Sequence, residues 1–354
     1  MLHSLLLRHR PTGLFALPRF VGLAALAASL LGLLPGCSND DDDVAVPTEQ
    51  PGPARISVPQ AGLSPEGVQY DAGNKRFLVS SRTRGTISTV RDDSAYAVLT
   101  TDPRLISTIG LHLDAGRQRL LVAVADNGAN AALTTAATLR KLAALAIVNP
   151  ATGAVLSYVD LGALRPGLNH FANDIAVDAQ GNAYITDSLS PIIYKVDLQG
   201  VATVFLEDPR LSGGTGFGLN GLVFHPDGYL LVAKANDGAL FKVPVSNPTS
   251  FTTVTSTQSL IGADGLVMLD PQTLLVVSGS QRTVFRLNST DGWATTRSTP
   301  QALRIGFDGV LSAESSGHCS DGAYVIHEGR CPSVLLHINL CPVVAEFIRE
   351  FSWV

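Results

Sequence analysis

Short apolar stretches alternate with polar turns along most of the chain. One unit of this pattern is an apolar strand at residues 220–225 (NGLVFH), a turn, and a second apolar strand at residues 229–233 (YLLVA). The turn contains Asp227-Gly228, a pair typical of hairpins. A third apolar stretch follows at residues 238–243 (GALFKV). The pattern predicts antiparallel strands joined by tight turns.

The same unit occurs five times, beginning at Glu66, Ile109, Asn173, Asn220 and Asp264. The steps between these starts are 43, 64, 47 and 44 residues, and the long step contains an insertion rich in Ala and Thr. A period in the forties with three or four strands per unit is typical of β-propeller blades.

We expect a sixth, degenerate unit from Gly309 onward, with residues 322–327 (GAYVIH) as its second strand. Residues 55–59 are a candidate outer strand that closes the ring. The sequence therefore predicts an all-β domain, a six-bladed β-propeller, over residues 58–354. The low charged fraction of 16% and the abundance of Gly and Pro agree with many short strands and turns.

Residues 1–36 have the features of an export signal. Three arginines precede an unbroken run of apolar and small residues at 21–34, and residues 34–37 (LPGC) follow. This end resembles a lipobox, so Cys37 is the predicted site of lipidation and the new N-terminus after cleavage. The alternatives are a plain secretory signal and an uncleaved anchor, although a run of 14 is short for a membrane span.

Residues 37–57 are predicted to be a tether, since they contain an acidic run and three prolines and lack a hydrophobic period. The expected location is the periplasmic or cell-surface side of a membrane, reached through the lipid anchor.

Three further cysteines, Cys319, Cys331 and Cys341, permit one disulfide whose pairing stays open. The formal charge of −5 becomes −8 without the three leader arginines. An acidic domain without basic clusters argues against a nucleic-acid partner.

The blade starts should meet at one mouth of the central channel, because the first strand of every blade lines that channel. Four of the five starts have oxygen-bearing side chains, and Glu66 and Asp264 are carboxylates. Oxygen ligands of mixed charge suit a hard cation, with Ca²⁺ the best match. Each of these residue types is also an ordinary turn former, so the prediction depends on their common position in the repeat.

The blade starts at residues 64–68 (SPEGV), 173–175 (NDI), 220–222 (NGL) and 264–266 (DGL) resemble those of the gluconolactonase family. That family includes senescence marker protein and luciferin-regenerating enzyme, with the paraoxonases as more distant relatives. The resemblance covers roughly residues 59–287. It implies a six-bladed propeller that holds a divalent metal, often Ca²⁺, and hydrolyses sugar lactones and related esters.

Carried over residue by residue, the resemblance makes Glu66, Asn220 and Asp264 metal ligands and places Asn173 beside the metal. Ile109 departs from the oxygen-bearing pattern, and the family needs no ligand there. The resemblance also implies that Asp264 takes a proton from water while the cation polarises the lactone carbonyl. His170 is a weaker candidate, interpreted as a solvated loop histidine.

Residues just after the second strands are predicted to shape the pocket: Arg82, Asp126, Asp187, Lys234 and His327. His225 is predicted to be a turn residue at the opposite end of its strand. The alternative function is a non-catalytic propeller that binds a ligand or partner at the cell surface, because propellers host both roles.

Overall fold

The computed structural model describes residues 55–298, 303–304 and 335–339. Within these ranges the chain forms β-strands and short 3₁₀ turns, with no α-helix. Four sheets have four strands each, in chain order from the inside outward, and a fifth has the same four-stranded path with two short additions. All neighbours along these four-stranded paths are antiparallel.

Each sheet is one propeller blade, and its strands are numbered in chain order. Blade 1 contains β2 (Val68–Asp71), β3 (Arg76–Ser80), β4 (Thr86–Val90) and β5 (Tyr96–Thr101). Blade 2 contains β6 (Ser107–Asp114), β7 (Arg119–Ala125), β8 (Ala143–Val148) and β9 (Val155–Asp160). Blade 3 contains β10 (Ala172–Val177), β11 (Ala183–Asp187), β12 (Ile192–Val196) and β13 (Ala202–Glu207).

Blade 4 contains β14 (Leu219–His225), β15 (Tyr229–Lys234), β16 (Leu240–Pro244) and β17 (Thr252–Thr253). Blade 5 contains β19 (Ala263–Asp270), β20 (Thr273–Ser278), β21 (Thr283–Asn288) and β22 (Thr295–Ser298). In the same sheet, β18 (Thr255–Ser256) runs parallel to β22 and β23 (Leu303–Arg304) pairs with β21. The 3₁₀ turns are Ala72–Asn74, Ala115–Arg117, Gly162–Leu164, Pro209–Leu211 and Pro248–Ser250.

The prediction of an all-β propeller is confirmed, but the described residues form five blades and not six. The five clear repeats each became a blade. In place of a sixth four-stranded sheet, β1 (Arg55–Pro59) pairs with β24 (Leu335–Asn339) in a two-stranded antiparallel sheet. Thus residues 55–59 do pair with the C-terminal region, as expected for a closing strand. The degenerate repeat provided too weak a pattern to define a full blade, and residues 322–327 lie outside the described part.

The inner strands β2, β6, β10, β14 and β19 pack against one another in that order. Successive residues of a middle strand therefore pack against different neighbouring blades. In β7, Leu121 belongs to the core shared with Ile185 of blade 3, whereas Leu120 belongs to the core shared with Leu78 of blade 1. Because both faces of a blade are covered, the middle strands are apolar throughout instead of alternating.

Charged clamps join neighbouring blades at the end opposite the blade starts. In blade 2, Asp114 caps the turn after β6 and binds Arg119 at 2.9 Å. The Nη2 of Arg119 then donates to the carbonyl oxygen of Gly181 in blade 3, at 2.6 Å. Blade 1 has the same arrangement, in which Arg76 binds Asp71 and reaches the carbonyl of Pro150 in blade 2.

The predicted signal peptide at residues 1–36, the lipidation site Cys37 and the predicted tether up to residue 54 lie outside the described residues. Cys319, Cys331, Cys341 and His327 lie outside them as well. Among the described residues, no helix has the length and apolar character needed to cross a membrane.

Candidate functional site

Four of the five blade starts occupy the same structural feature, a β-bulge at the beginning of the inner strand. The pairing of inner and second strands slips between Thr108 and Leu111 in blade 2, and at the equivalent positions of blades 3, 4 and 5. The two residues in each bulge are Ile109-Gly110, Asn173-Asp174, Asn220-Gly221 and Asp264-Gly265. A bulge redirects side chains away from the regular pleat. The predicted site residues of these blades are therefore presented by one repeated irregularity.

Glycine directly after the blade start allows the inner strands to approach one another closely. A Cβ atom on Gly67 would lie 2.5 Å from the carbonyl oxygen of Ile109, and one on Gly110 would lie 2.4 Å from that of Asn173. The same contact recurs between Gly221 and the carbonyl of Asp264, at 2.2 Å. A side chain has no space at these positions. Consecutive blade starts are thus in contact with one another.

Asp264 is the centre of the charged group at this end of the channel. The Asn220 side chain hydrogen-bonds its carboxyl group, and Arg82 of blade 1 acts on it electrostatically. Desolvation is the largest influence and raises the pKa of Asp264 above its ordinary value, although Asn220 and Arg82 oppose that rise. The structure therefore brings together Asn220 and Asp264, two of the predicted ligands, and the charge of Arg82 acts on the same carboxylate.

Asp174 is a functional candidate that the sequence reasoning missed. Desolvation raises the pKa of its carboxyl to about 7, and the negative charge of Asp264 adds to the rise. Its oxygens accept hydrogen bonds from the backbone N–H groups of Ile175 at 2.9 Å and Leu222 at 3.2 Å. The second bond ties blade 3 to blade 4.

A pattern in the repeats could have revealed Asp174. The residue after the blade start is glycine in four units, at positions 67, 110, 221 and 265, and aspartate in the unit that begins at Asn173. Close packing requires glycine at three of these positions, 67, 110 and 221, so a charged residue at the equivalent position 174 stands out.

The other predicted site residues have different surroundings. The buried Asn173 donates its amide N–H to Ser188 Oγ at 2.8 Å, and the structure shows no bond from it to Asp264. The half-buried Glu66 comes directly before Gly67, whose N–H donates to Ser80 Oγ at 2.7 Å. Ile109 is fully buried in the core between blades 2 and 3, which agrees with a start that provides no ligand.

The chemistry of this donor set fits a hard cation. Asp264 and Asp174 are carboxylates whose pKa values are raised mainly by desolvation, and Asn220 adds an amide oxygen. Over residues 55–298, 303–304 and 335–339, no group of three or more His, Cys, Asp or Glu side chains is arranged to hold a metal. The predicted set differs from such a group because two of its four members are asparagines.

His170 is not a solvated loop residue, contrary to the prediction. It is 2% exposed, and its Nδ1 lies 2.7 Å from Asp187 Oδ2 while its Nε2 lies 3.0 Å from the carbonyl oxygen of Arg165. Tyr194 Oη also donates to Asp187, at 3.1 Å. Both ring nitrogens face acceptors, so this environment favours the doubly protonated imidazolium. Its interaction with Asp187 outweighs the effect of burial, and the pKa of His170 is raised.

Most of the residues expected to shape the pocket have structural roles. Asp126 accepts hydrogen bonds from the hydroxyls of Thr134 and Thr138 and so ties down the insertion. Lys234 is buried and donates to the carbonyl of Arg210 at 2.9 Å. Asp187 forms an ion pair with His170. Sequence position alone did not show that these charged side chains already have partners within the protein.

His225 is a turn residue, as predicted. Its Nδ1 accepts from the backbone N–H of Asp227 at 3.1 Å, and its ring stacks on Tyr229 with centroids 4.2 Å apart.

No protein-family model matches the chain, and no curated protein matches it. Solved structures do resemble it. The major allergen Mala s 1 of Malassezia sympodialis is 20% identical, with a TM-score of 0.57 over 70% of this chain and 81% of that one. A streptogramin B lyase is 9% identical, with a TM-score of 0.51 over 67% and 70%. A putative gluconolactonase is 16% identical, with a TM-score of 0.48 over 71% and 84%. At identities this low, the allergen and the lyase show a shared fold alone, which is the β-propeller.

Proposed function

We propose that the domain hydrolyses lactones or related esters at the channel mouth, with Asp264 as the general base. The observation that carries the proposal is the group formed by Asp264, Asn220 and Arg82, which joins residues from blades 1, 4 and 5. It combines a carboxylate, an amide and a guanidinium at the blade starts, where acyl-transfer chemistry needs a base and stabilisers of negative charge.

We propose Ca²⁺ as the most suitable cofactor, with Glu66, Asn173, Asn220 and Asp264 as the residues that would hold it. The carboxylate and amide oxygens of this set are the ligand types that Ca²⁺ prefers. When bound, the cation would polarise the carbonyl of the substrate. The close packing of neighbouring blade starts at Gly67, Gly110 and Gly221 supports a shared site at this end of the channel.

In the proposed reaction, Asp264 takes a proton from a water molecule as the water oxygen attacks the carbonyl carbon. Arg82 supplies positive charge that opposes the negative charge developing on the carbonyl oxygen. The bond between the acyl carbon and the ring oxygen then breaks, and the proton passes to the departing oxygen. The products are a carboxylic acid and a hydroxyl group in the same molecule, so that one water is consumed for each lactone.

The test is an assay of sugar lactones and alkyl lactones with wild type, Asp264→Asn and Asp270→Asn. Asp270 is a matched control because it is an exposed aspartate at the other end of the same strand, β19. We expect Asp264→Asn to lower kcat/KM by at least about a hundredfold, the usual scale of a general base, while Asp270→Asn retains activity. A chelator should act like Asp264→Asn. Hydrolysis that resists both the chelator and Asp264→Asn would reject the mechanism.

A second candidate function is a non-catalytic propeller that binds an anionic ligand. Arg82 favours it, because a guanidinium beside the channel carboxylates suits recognition of a carboxylate or phosphate. Calorimetry separates the two functions. Ligand or Ca²⁺ binding without turnover of any lactone would support the binding protein. For either function, we propose that the chain is exported and tethered to a membrane through Cys37.

A further inference from the structure

Several exposed apolar side chains lie on loops at the end of the propeller that holds the candidate site. Each inner strand begins at this end and the antiparallel second strand returns to it. The loops before inner strands and after second strands therefore share this rim. Four of the nine large apolar residues exposed in the described chain lie on such loops: Leu139, Leu168, Phe217 and Ile261. We call Leu139, Leu168 and Phe217, which flank blade 3, the apolar rim.

Phe217 is directly linked to the site. Its ring meets the edge of the buried Phe171, with centroids 5.1 Å apart, and Phe171 lies two residues before Asn173. The next residue, Gly218, donates its N–H to the carbonyl of Ser188 at 2.8 Å. The hydroxyl of Ser188 accepts from Asn173, also at 2.8 Å. Two hydrogen bonds thus connect the Phe217 loop to a candidate site residue.

Leu139 and Leu168 lie on two different loops that are hydrogen-bonded to each other. The backbone N–H of His170 donates to the carbonyl of Arg140 at 2.9 Å, which places the segment after Leu139 against the segment after Leu168. The ion pair between His170 and Asp187 holds one of these segments on blade 3. The bonds that Asp126 accepts from two threonines hold the other.

The apolar rim is therefore presented by anchored loops. The Phe217 loop closes on itself, because a Cβ on Gly213 would lie 2.3 Å from the backbone nitrogen of Gly218. Phe217 nevertheless remains 41% exposed. Apolar side chains that are fixed in position, exposed to water and adjacent to convergent polar groups are typical of a binding surface.

We propose that the apolar rim binds the hydrocarbon part of the substrate, so that the preferred substrates are lactones or esters with an alkyl chain. This inference rests on the proposed hydrolase function. A polyhydroxylated sugar lactone would place hydroxyl groups against Leu139, Leu168 and Phe217, which cannot form hydrogen bonds with them. An alkyl chain would be removed from water there, while its lactone ring lies at the channel mouth.

The test is a series of γ-lactones whose side chain grows from methyl to octyl, together with glucono-1,5-lactone. Full burial of a methylene increases affinity about fourfold, so a half-buried chain should raise kcat/KM by about twofold per methylene. Phe217→Ser should lower kcat/KM for the octyl lactone at least fivefold and leave the methyl lactone almost unchanged. Leu156→Ser is the matched control, because Leu156 is 60% exposed on β9, an outer strand away from the rim.

Calorimetric binding of the same lactones provides a second readout that does not require turnover. If no lactone is hydrolysed, the proposed function fails, yet affinity that rises with chain length and is lost in Phe217→Ser still supports the rim. Hydrolysis or binding that does not depend on chain length would overturn the inference and leave the hydrolase intact. A dimer that dissociates in Phe217→Ser, measured by sedimentation, would assign the rim to self-association and also overturn it. Leu139→Ser repeats the test should Phe217→Ser misfold.

Discussion

The carboxylate of Asp264 in blade 5 raises the pKa of Asp174 in blade 3, across the start of blade 4. Desolvation is the larger cause, and together they bring the pKa of Asp174 to about 7. Like charges within one channel oppose each other unless a cation or a guanidinium lies between them. Asp174 and Asp264 should therefore affect both ligand binding at the site and the stability of the propeller.

Asp174→Asn should separate these two effects. The substitution removes the repulsion from Asp264, but an amide cannot accept from both backbone N–H groups that the carboxylate binds, those of Ile175 and Leu222. The repulsion exists only where Asp174 is ionised, so with chelator present the free energy of unfolding of the variant relative to wild type should be about 1 kcal/mol more favourable at pH 8 than at pH 5. Calcium affinity, measured by calorimetry, should fall about tenfold because the site loses one negative charge. Asp270→Asn is the control for a general loss of charge. Unchanged stability and unchanged affinity would show that Asp174 and Asp264 act independently.

Gly110→Ala should destabilise the propeller strongly. The new methyl group would lie 2.4 Å from the carbonyl oxygen of Asn173 and 2.8 Å from the Cα of Asp174, and both are backbone atoms that cannot rotate away. We expect a loss of about 1–3 kcal/mol in urea unfolding. Gly116→Ala is the matched control, since nothing lies within 4 Å of its added Cβ. Equal stability of the two variants would show that the blade starts are not packed this closely.

The ion pair between His170 and Asp187 should make stability depend on pH. The pKa of His170 is raised in the folded protein, so its stabilising effect is fully present below about 6.5, the pKa of unfolded histidine. The effect is lost as the pH rises through the folded pKa. The Tm of wild type should therefore fall over this alkaline range, and that of His170→Gln should fall less. Parallel curves for the two proteins would contradict a charged His170.

Arg119→Met should break the clamp between blades 2 and 3. The substitution removes the bond to the carbonyl of Gly181 and leaves Asp114 with Arg117, at 3.2 Å, as its charged partner, so we expect a loss of about 2 kcal/mol in chemical unfolding. Arg104→Met is the control, because Arg104 pairs with Asp102 at the surface, where such pairs contribute less than about 1 kcal/mol. Similar losses in both variants would show that the clamp contributes no more than a surface ion pair.

Cys37→Ala should release the protein from membranes if the lipobox-like segment is processed as predicted. Without the thiol there is no site for the lipid chain, and the acidic domain has little other affinity for an anionic bilayer. The measurement is fractionation of cells that express the full chain, with a Ser38→Ala variant as the control. Membrane association that equals wild type would show that the lipid anchor is wrong.

The repeat made the architecture predictable. Five copies of an apolar strand, a turn and a second apolar strand specify five blades, because each blade must cover its faces with neighbours of the same kind. Local pattern could not define a sixth four-stranded sheet, since the degenerate unit lacks a clear repeat. The pairing of Arg55–Pro59 with Leu335–Asn339 is a long-range contact. The only basis for predicting it is that a propeller ring has to be closed.

The sequence by itself determined that the chain is an all-β propeller and that Glu66, Asn173, Asn220 and Asp264 begin equivalent units. The repeat shows the equivalence because every copy has the same pattern of apolar strands and turns. Only the tertiary structure decided how the charges are partnered. The charge of Asp264 acts on Asp174, Arg82 acts on Asp264, and His170 is buried against Asp187. Desolvation and charge pairing depend on which residues of different blades lie close together. The order of residues along the chain does not specify those contacts.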